Sequence, residues 1–309
     1  MSAMFSNGVL SPLTGPLHKA PAIVSAEPLN APSCACPNST QISGTEAMPL
    51  ILDKIKTPAE APRISRPRLL STLHGSLNGC ASTIINGRAG TGKTLLSSDF
   101  ARRCGRAVAW YKVDASDTEA SVFFAYLLAA VGRHRPGFGD QTLRPMLEGA
   151  TLEDMPMLAE AFVYELLENT GEPLLIILDD LHLVYDAEWV VPFFRRLLPL
   201  LPAEAHMLIT GRSLPPAPLW RMRSKQTLCV VEETVMNFTL KEAEKLFASY
   251  GLAPERAESA LRQARSRASS LDAIARLWSE TENATAASGP ETKQKRRKPR
   301  VRHTHGYAF

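Results

Sequence analysis

Gly87-Arg88-Ala89-Gly90-Thr91-Gly92-Lys93-Thr94 decides the reading of this 309-residue sequence. A glycine, four free positions and then Gly-Lys-Thr is a spacing with a physical reason. Glycines let the backbone wrap closely enough for successive N–H groups to face a polyphosphate, forming an anion nest. Lys93 would set its ammonium against the β- and γ-phosphates, and the Thr94 hydroxyl would take one position on Mg²⁺. A helix starting here adds its free N–H groups and positive dipole end. The expected nucleotide-contacting set is Gly87, Arg88, Ala89, Gly90, Thr91, Gly92, Lys93, Thr94 and Leu95, with ATP/ADP and Mg²⁺ as cofactors.

The flanks supply the confirming context. Ser82 to Asn86 reads as a short β-branched strand entering the loop, and Leu95-Leu96, Phe100-Ala101 and Cys104 recur at helical spacing after it. Further apolar strands are expected at Ala107–Val113, Leu174–Asp179, His206–Thr210 and Thr227–Val231. Helical patterns separate them at Thr94–Cys104, Glu119–Val131, Met157–Asn169 and Ala187–Leu200. This alternation predicts an α/β fold, a parallel sheet covered on both faces. Gly132 to Glu153, rich in Gly and Pro, reads as an irregular insertion. A first helix is expected after Ile64-Ser65-Arg66-Pro67, reaching about Asn78. Trp110, Tyr111, Phe123, Phe124 and Tyr126 read as core.

The carboxyl ends of the strands gather the remaining candidates, since ligands of open α/β sheets bind there. Leu174 to Asp180 is a buried-strand run ending in two carboxylates. Asp179 is assigned to Mg²⁺ and Asp180 to the attacking water. A carboxylate cap on the following helix is the plainer alternative. Thr210-Gly211-Arg212 reaches the same edge, where Arg212 would report the γ-phosphate or serve only as a solvated loop arginine.

Composition bounds the rest. The formal charge is +4, but Glu291 to Phe309 alone carries +6, which leaves −2 on the remainder. Five scattered cysteines are no disulfide framework. No signal peptide or membrane-spanning run is visible, so a cytoplasmic, membrane-free protein is expected. Residues 1–61 are Pro-rich without apolar period and are expected to be disordered. Cys34-Ala35-Cys36 reads as two idle thiols. Thr239-Leu240-Lys241-Glu242 opens a helix with a capping box, and a second helical segment lies between Pro254 and about Trp278. The basic tail, Lys293 to Arg302, is either a weak, salt-sensitive nucleic-acid contact or a solvated end.

The order PRLL, GRAGTGKT, VAWYKVDASD, FFAYLLAAV, LLIILDDLHLV, MLITGRS and FTLKEAEKLF resembles the nucleotide-binding module of MalT-like STAND proteins. These are signal-transduction ATPases often found in large LuxR-type transcriptional regulators. The resemblance runs from about Arg63 to Tyr250. It implies a P-loop NTPase domain at 62–235 with sheet order 5-1-4-3-2 and a partial helical lid at 236–280, and the polar, then basic composition beyond Glu280 predicts a disordered tail at 281–309. It also implies that Arg212 is the family's sensor arginine. Ser65, Arg66 and Pro67 lie where the family's adenine pocket begins, and Asp114 and Asp117 match the pattern without a defined role. The winged-helix, helical-repeat and DNA-binding parts of such regulators are not expected here. The lid's Gly-x-Pro-type motif is not visible around Arg265 to Leu271, so an ADP-locked resting state is not expected to carry over.

The sequence thus predicts an ATP-binding signalling switch with slow Mg²⁺-dependent hydrolysis, through Asp180, Lys93 and Arg212. Its candidate partners are nucleotide, a second copy in nucleotide-dependent self-association, or a separate effector protein. The alternatives are an AAA-like ATPase that binds nucleic acid through the basic tail, and a nucleotide-binding scaffold that never hydrolyses.

Overall fold

The structure, a computed structural model, describes residues 49–225 and 227–287. The five apolar runs form β1 (Ser82–Asn86), β2 (Ala107–Lys112), β3 (Leu174–Asp179), β4 (Ala205–Gly211) and β5 (Leu228–Val231). All pair in parallel, in the order β2-β3-β4-β1-β5. This is the expected 5-1-4-3-2 order read from the opposite edge. Side chains alternate between the faces of a strand. Leu174, Ile176 and Leu178 of β3 accordingly enter one core, and Leu175 and Ile177 the other. β3 and β4 are buried along their whole length, whereas β2 and β5 at the edges are partly exposed.

Helices α1 (Pro67–Gly79) and α2 (Lys93–Ala101) cover one face through Leu69, Leu73, Leu96 and Phe100. Helix α3 (Ala120–Gly132), the short α4 (Leu143–Leu147), α5 (Met155–Glu168) and α6 (Val190–Leu197) build the other core. Trp110, Tyr111, Phe123, Phe124 and Tyr126 are buried, as expected of core residues. The stretch read as an irregular insertion contains α4 and is pinned inside. Phe138 and Leu143 are buried, and the carboxylate of Glu165 on α5 accepts from the N–H groups of Gly139 and Leu143.

Helix α7 (Ala217–Trp220) precedes β5 and α8 (Glu233–Met236) follows it. Then α9 (Leu240–Ser249), α10 (Ala257–Gln263) and α11 (Ala268–Ala287), the segment expected to form a helical lid, have their own core around Leu246, Phe247 and Leu271. Thr239 and Glu242 make the expected capping box on α9. The second helical segment is two helices, broken at Arg265 and Ser266, which have φ of 49° and 58°.

Two boundaries move. The segment called disordered to residue 61 has structure from residue 49, because long-range partners hold it. Ile55 is buried, Lys54 pairs with the buried Asp117 at 2.7 Å, and Arg102 donates to the carbonyls of Pro58, Ala59 and Glu60. This also gives Asp117 a structural role, since it accepts from the Tyr111 hydroxyl and the Asp114 N–H as well. At the other end α11 continues to Ala287, beyond the expected limit at 280. Cys34, Cys36 and Lys293 to Arg302 lie outside the described residues. Among the described residues no helix is long and apolar enough to cross a membrane.

His206, buried where β4 begins, links the sheet to the loop after α1. Its Nδ1–H donates to the Cys80 carbonyl (3.1 Å), so Nε2 accepts from Thr83 Oγ1 (2.8 Å), which lies 2.6 Å from Ser76 Oγ. Burial pushes the imidazole pKa down to about 4. The unfolded chain therefore takes up a proton between about pH 6.5 and 4 that the folded chain refuses, and stability falls as pH falls through that window. His206→Asn is expected to remove a pH dependence worth up to about 3 kcal/mol, read by urea unfolding at pH 7 and pH 4.5.

Candidate functional site

The loop between β1 and α2 adopts the strained conformation its glycines allow. Gly90 and Gly92 have φ of 79° and 89°, in the left-handed region that costs other residues about 1–2 kcal/mol. Gly92 is the N-cap of α2, so the unsatisfied N–H groups of that helix open into the loop. Lys93 is buried, and its Nζ donates to the carbonyls of Gly87 (2.6 Å) and Arg88 (3.1 Å). Burial lowers its pKa, opposed by the charge of Asp180, reinforced by Arg212, and opposed again by Asp179 and Glu233. This ammonium is held among acids at the end of the sheet, where a phosphate would compete for it.

Asp179 ends β3 fully buried. It accepts from Thr210 Oγ1 at 2.7 Å, and Thr94 Oγ1 lies 3.1 Å from both of its oxygens. Burial raises its pKa, the Thr210 hydroxyl lowers it, and the neighbouring Asp180 raises it further. One carboxylate and one hydroxyl from adjacent elements are hard oxygen donors. They fit Mg²⁺, which takes few protein ligands and completes its shell with phosphate oxygens and water. Among the described residues no group of three or more His, Cys, Asp or Glu is placed to cage a metal.

Asp180 sits in the left-handed region (φ 62°), with its N–H donating to Thr210 Oγ1 at 2.9 Å. Arg212 follows β4 and brings its Nε to 3.9 Å from Asp180 Oδ1. The fold therefore gathers the loop, Lys93, Thr94, Asp179, Asp180 and Arg212 at one sheet edge. Leu95 points elsewhere, into a cavity of about 900 Å³ next to the loop.

Sequence reasoning missed the groups that tie this loop to the lid. Ser269, in the first turn of α11, donates its N–H to the Gly90 carbonyl at 2.9 Å. Arg267 Nη2 donates to the Ala89 carbonyl at 2.5 Å. A Cβ on Gly92 would stand 3.4 Å from that of Ala268. The segment without a visible Gly-x-Pro-type motif is thus the one that rests on the loop. Glu233 on α8 also grips it. Its carboxylate accepts from the Arg88 N–H and Nε, each at 2.9 Å, and the bonds from Arg88 hold its pKa down.

Ser65 and Arg66 join α2 to the start of α9. Ser65 Oγ donates to Asp99 Oδ2 at 2.6 Å, and the buried Arg66 pairs with Glu242 at 2.9 Å. Arg66 lines the cavity beside Ile64, Leu95, Leu246, Tyr250 and Leu277.

Comparison with known proteins finds similarity over part of the chain. Residues 65–210 match an AAA ATPase domain family. The HTH-type transcriptional regulator MalT of Serratia proteamaculans (strain 568) is 28% identical over 202 residues, covering 64% of this chain and 22% of the relative. MalT of Vibrio cholerae serotype O1 is 27% identical over 187 residues, covering 60% and 20%. The chain spans about a fifth of the length of these relatives. Among solved structures, a signal transduction ATPase with numerous domains from Pyrococcus horikoshii, which has a tetratricopeptide repeat sensor, aligns with a TM-score of 0.48. It is 20% identical, over 68% of this chain and 30% of that one. The Orc1 protein of Aeropyrum pernix, solved in complex with DNA, aligns with a TM-score of 0.47. It is 18% identical, over 74% and 63%.

Proposed function

We propose that this chain, whose residues 65–210 match an AAA ATPase domain family and which is similar to the MalT regulators over part of their length, is a signalling switch set by ATP and ADP. The observation that carries the reading is the seating of the lid on the phosphate loop. Ser269 and Arg267 bond to the carbonyls of Gly90 and Ala89, the loop that would wrap the phosphates. Any phosphate that reshapes this loop must move, or be resisted by, α11.

The roles follow from position. The N–H groups of the loop and of α2 hold the β- and γ-phosphates, and Lys93 leaves its carbonyl partners to neutralise them. Thr94 and Asp179 hold Mg²⁺, which neutralises phosphate charge when bound. Asp180 orients water at the γ-phosphate, and Arg212 reports that phosphate. The base and ribose occupy the cavity walled by Leu95, Leu246, Tyr250 and Leu277, between the sheet and the lid. Hydrolysis is slow and resets the switch.

Calorimetric titration with Mg-ATP and with Mg-ADP tests this reading. The two nucleotides are expected to bind saturably with affinities that differ at least severalfold. Equal affinities would mean that the γ-phosphate is not sensed. The lid contact makes its own prediction. Arg267→Ala deletes one hydrogen bond worth about 1 kcal/mol, and ADP release should accelerate roughly fivefold in stopped-flow measurements with a fluorescent ADP. An unchanged rate would remove Arg267 from the latch.

A further inference from the structure

Arg88, the second cation of the phosphate loop beside Lys93, is already paired with an anion of the chain itself. Its backbone N–H and its Nε donate to the Glu233 carboxylate, each at 2.9 Å, and its Nη2 stands 2.7 Å from Glu233 Oε1. Glu233 is the first residue of α8, and a Cβ on Gly87 would stand 3.4 Å from its own. The acid therefore lies against the start of the loop. The carbonyl of the same arginine accepts from Lys93 Nζ at 3.1 Å and from Thr91 Oγ1 at 3.0 Å. Arg88 thus ties an acid outside the loop to the ammonium within it. The side-chain and backbone bonds from Arg88, and the charges of Arg88 and Arg267, hold the Glu233 pKa down, so the group stays an anion. The pair is open to water, with side chains 72% and 25% exposed. Ion pairs this exposed contribute little, and a polyphosphate can compete for the arginine.

We infer that Arg88 and Glu233 form an autoinhibitory clasp, which lowers the affinity of the loop for the polyphosphate of a nucleotide until the pair opens. The inference rests on the reading of the loop as the nucleotide site and names a regulation of that site. Two effects act in the same direction. The carboxylate sets a negative charge beside the loop, where it repels an incoming anion. The pairing also withholds the Arg88 guanidinium from phosphate, an acceptor its forked donors suit. Once released, Glu233 has another cation at hand in Arg267, whose buried Nε has no hydrogen-bond partner. A structural brace would behave in the opposite way. Removing a brace loosens the loop and weakens binding, whereas removing a clasp tightens it.

Calorimetric titration of Mg-ATP into the wild-type chain, Glu233→Gln, Arg88→Ala and the double variant tests the clasp. Glu233→Gln, which keeps the shape and removes the charge, should bind roughly threefold to fivefold more tightly than the wild type. The gain should shrink as salt is raised. Arg88→Ala should bind more weakly than the wild type, because it leaves the carboxylate uncompensated beside the loop. Adding Glu233→Gln to Arg88→Ala should tighten binding again. Unchanged or weaker binding by a Glu233→Gln chain that melts like the wild type would reduce Glu233 to a brace and overturn the clasp. Unchanged or tighter binding by Arg88→Ala, a replacement at a largely exposed side chain, would overturn it independently. If neither the wild type nor Glu233→Gln binds saturably while both are folded, the reading of the loop as a nucleotide site falls, and the clasp with it.

Discussion

Lys93→Ala is expected to weaken Mg-ATP binding roughly a hundredfold while leaving the chain folded. The ammonium is buried and lies among Asp179, Asp180 and Glu233. Its present partners are two loop carbonyls. Charge-assisted contacts to phosphate are stronger than these neutral ones. Their loss should weaken binding by about 3 kcal/mol, roughly a hundredfold, when titrated by calorimetry. The folded state should tolerate the change, because alanine removes a buried cation along with its desolvation cost. A variant that melts like the wild type and binds ATP within threefold of it would show that the phosphates lie elsewhere.

Gly90→Ala should have the next largest effect, and for two additive reasons. The residue sits at φ 79°, where a side chain costs about 1 kcal/mol or more. A methyl there would also overlap Ser269 Oγ and come within 3.1 Å of Ser269 Cβ. The hydroxyl can rotate away, but the Cβ belongs to the lid helix, so α11 must lift or the loop must bend. Nucleotide affinity is expected to fall at least tenfold. Limited proteolysis should show faster cleavage near Arg265–Arg267, where the left-handed break between α10 and α11 becomes free. Ser269→Gly combined with Gly90→Ala should restore part of the affinity, because it clears the overlap. Full loss in the single variant with no recovery in the double would place the whole effect in the loop backbone.

The parts of this account that were legible in the sequence are local. A glycine spacing between a β-branched strand and an apolar helix names the phosphate loop, and the run ending at Asp179 and Asp180 names the second wall. Strand order is not local, and it came from resemblance to a family. What escaped notice depends on partners far away in sequence. The bond from Arg267 to Ala89 joins residues 178 apart. No apolar period or turn signal marks Arg267 or Ser269 for such a contact. Order from residue 49 likewise comes from Asp117 and Arg102, whereas the local composition around Lys54 suggests none. Glu233 sits in a helix of four residues whose sequence gives no reason to expect a grip on the loop.

Hydrogen exchange at the first turn of α11 tests the central claim most directly. The Ser269 amide is bonded to the Gly90 carbonyl, so its protection reports the seating of the lid on the loop. Exchange of Ser269 to Leu271 is measured with saturating Mg-ATP, with saturating Mg-ADP and without nucleotide. The switch predicts that protection differs between ATP and ADP, and that Arg267→Ala diminishes the difference. Saturable binding of both nucleotides with identical protection throughout would show that the lid does not read the phosphates, and the account of a switch would be contradicted.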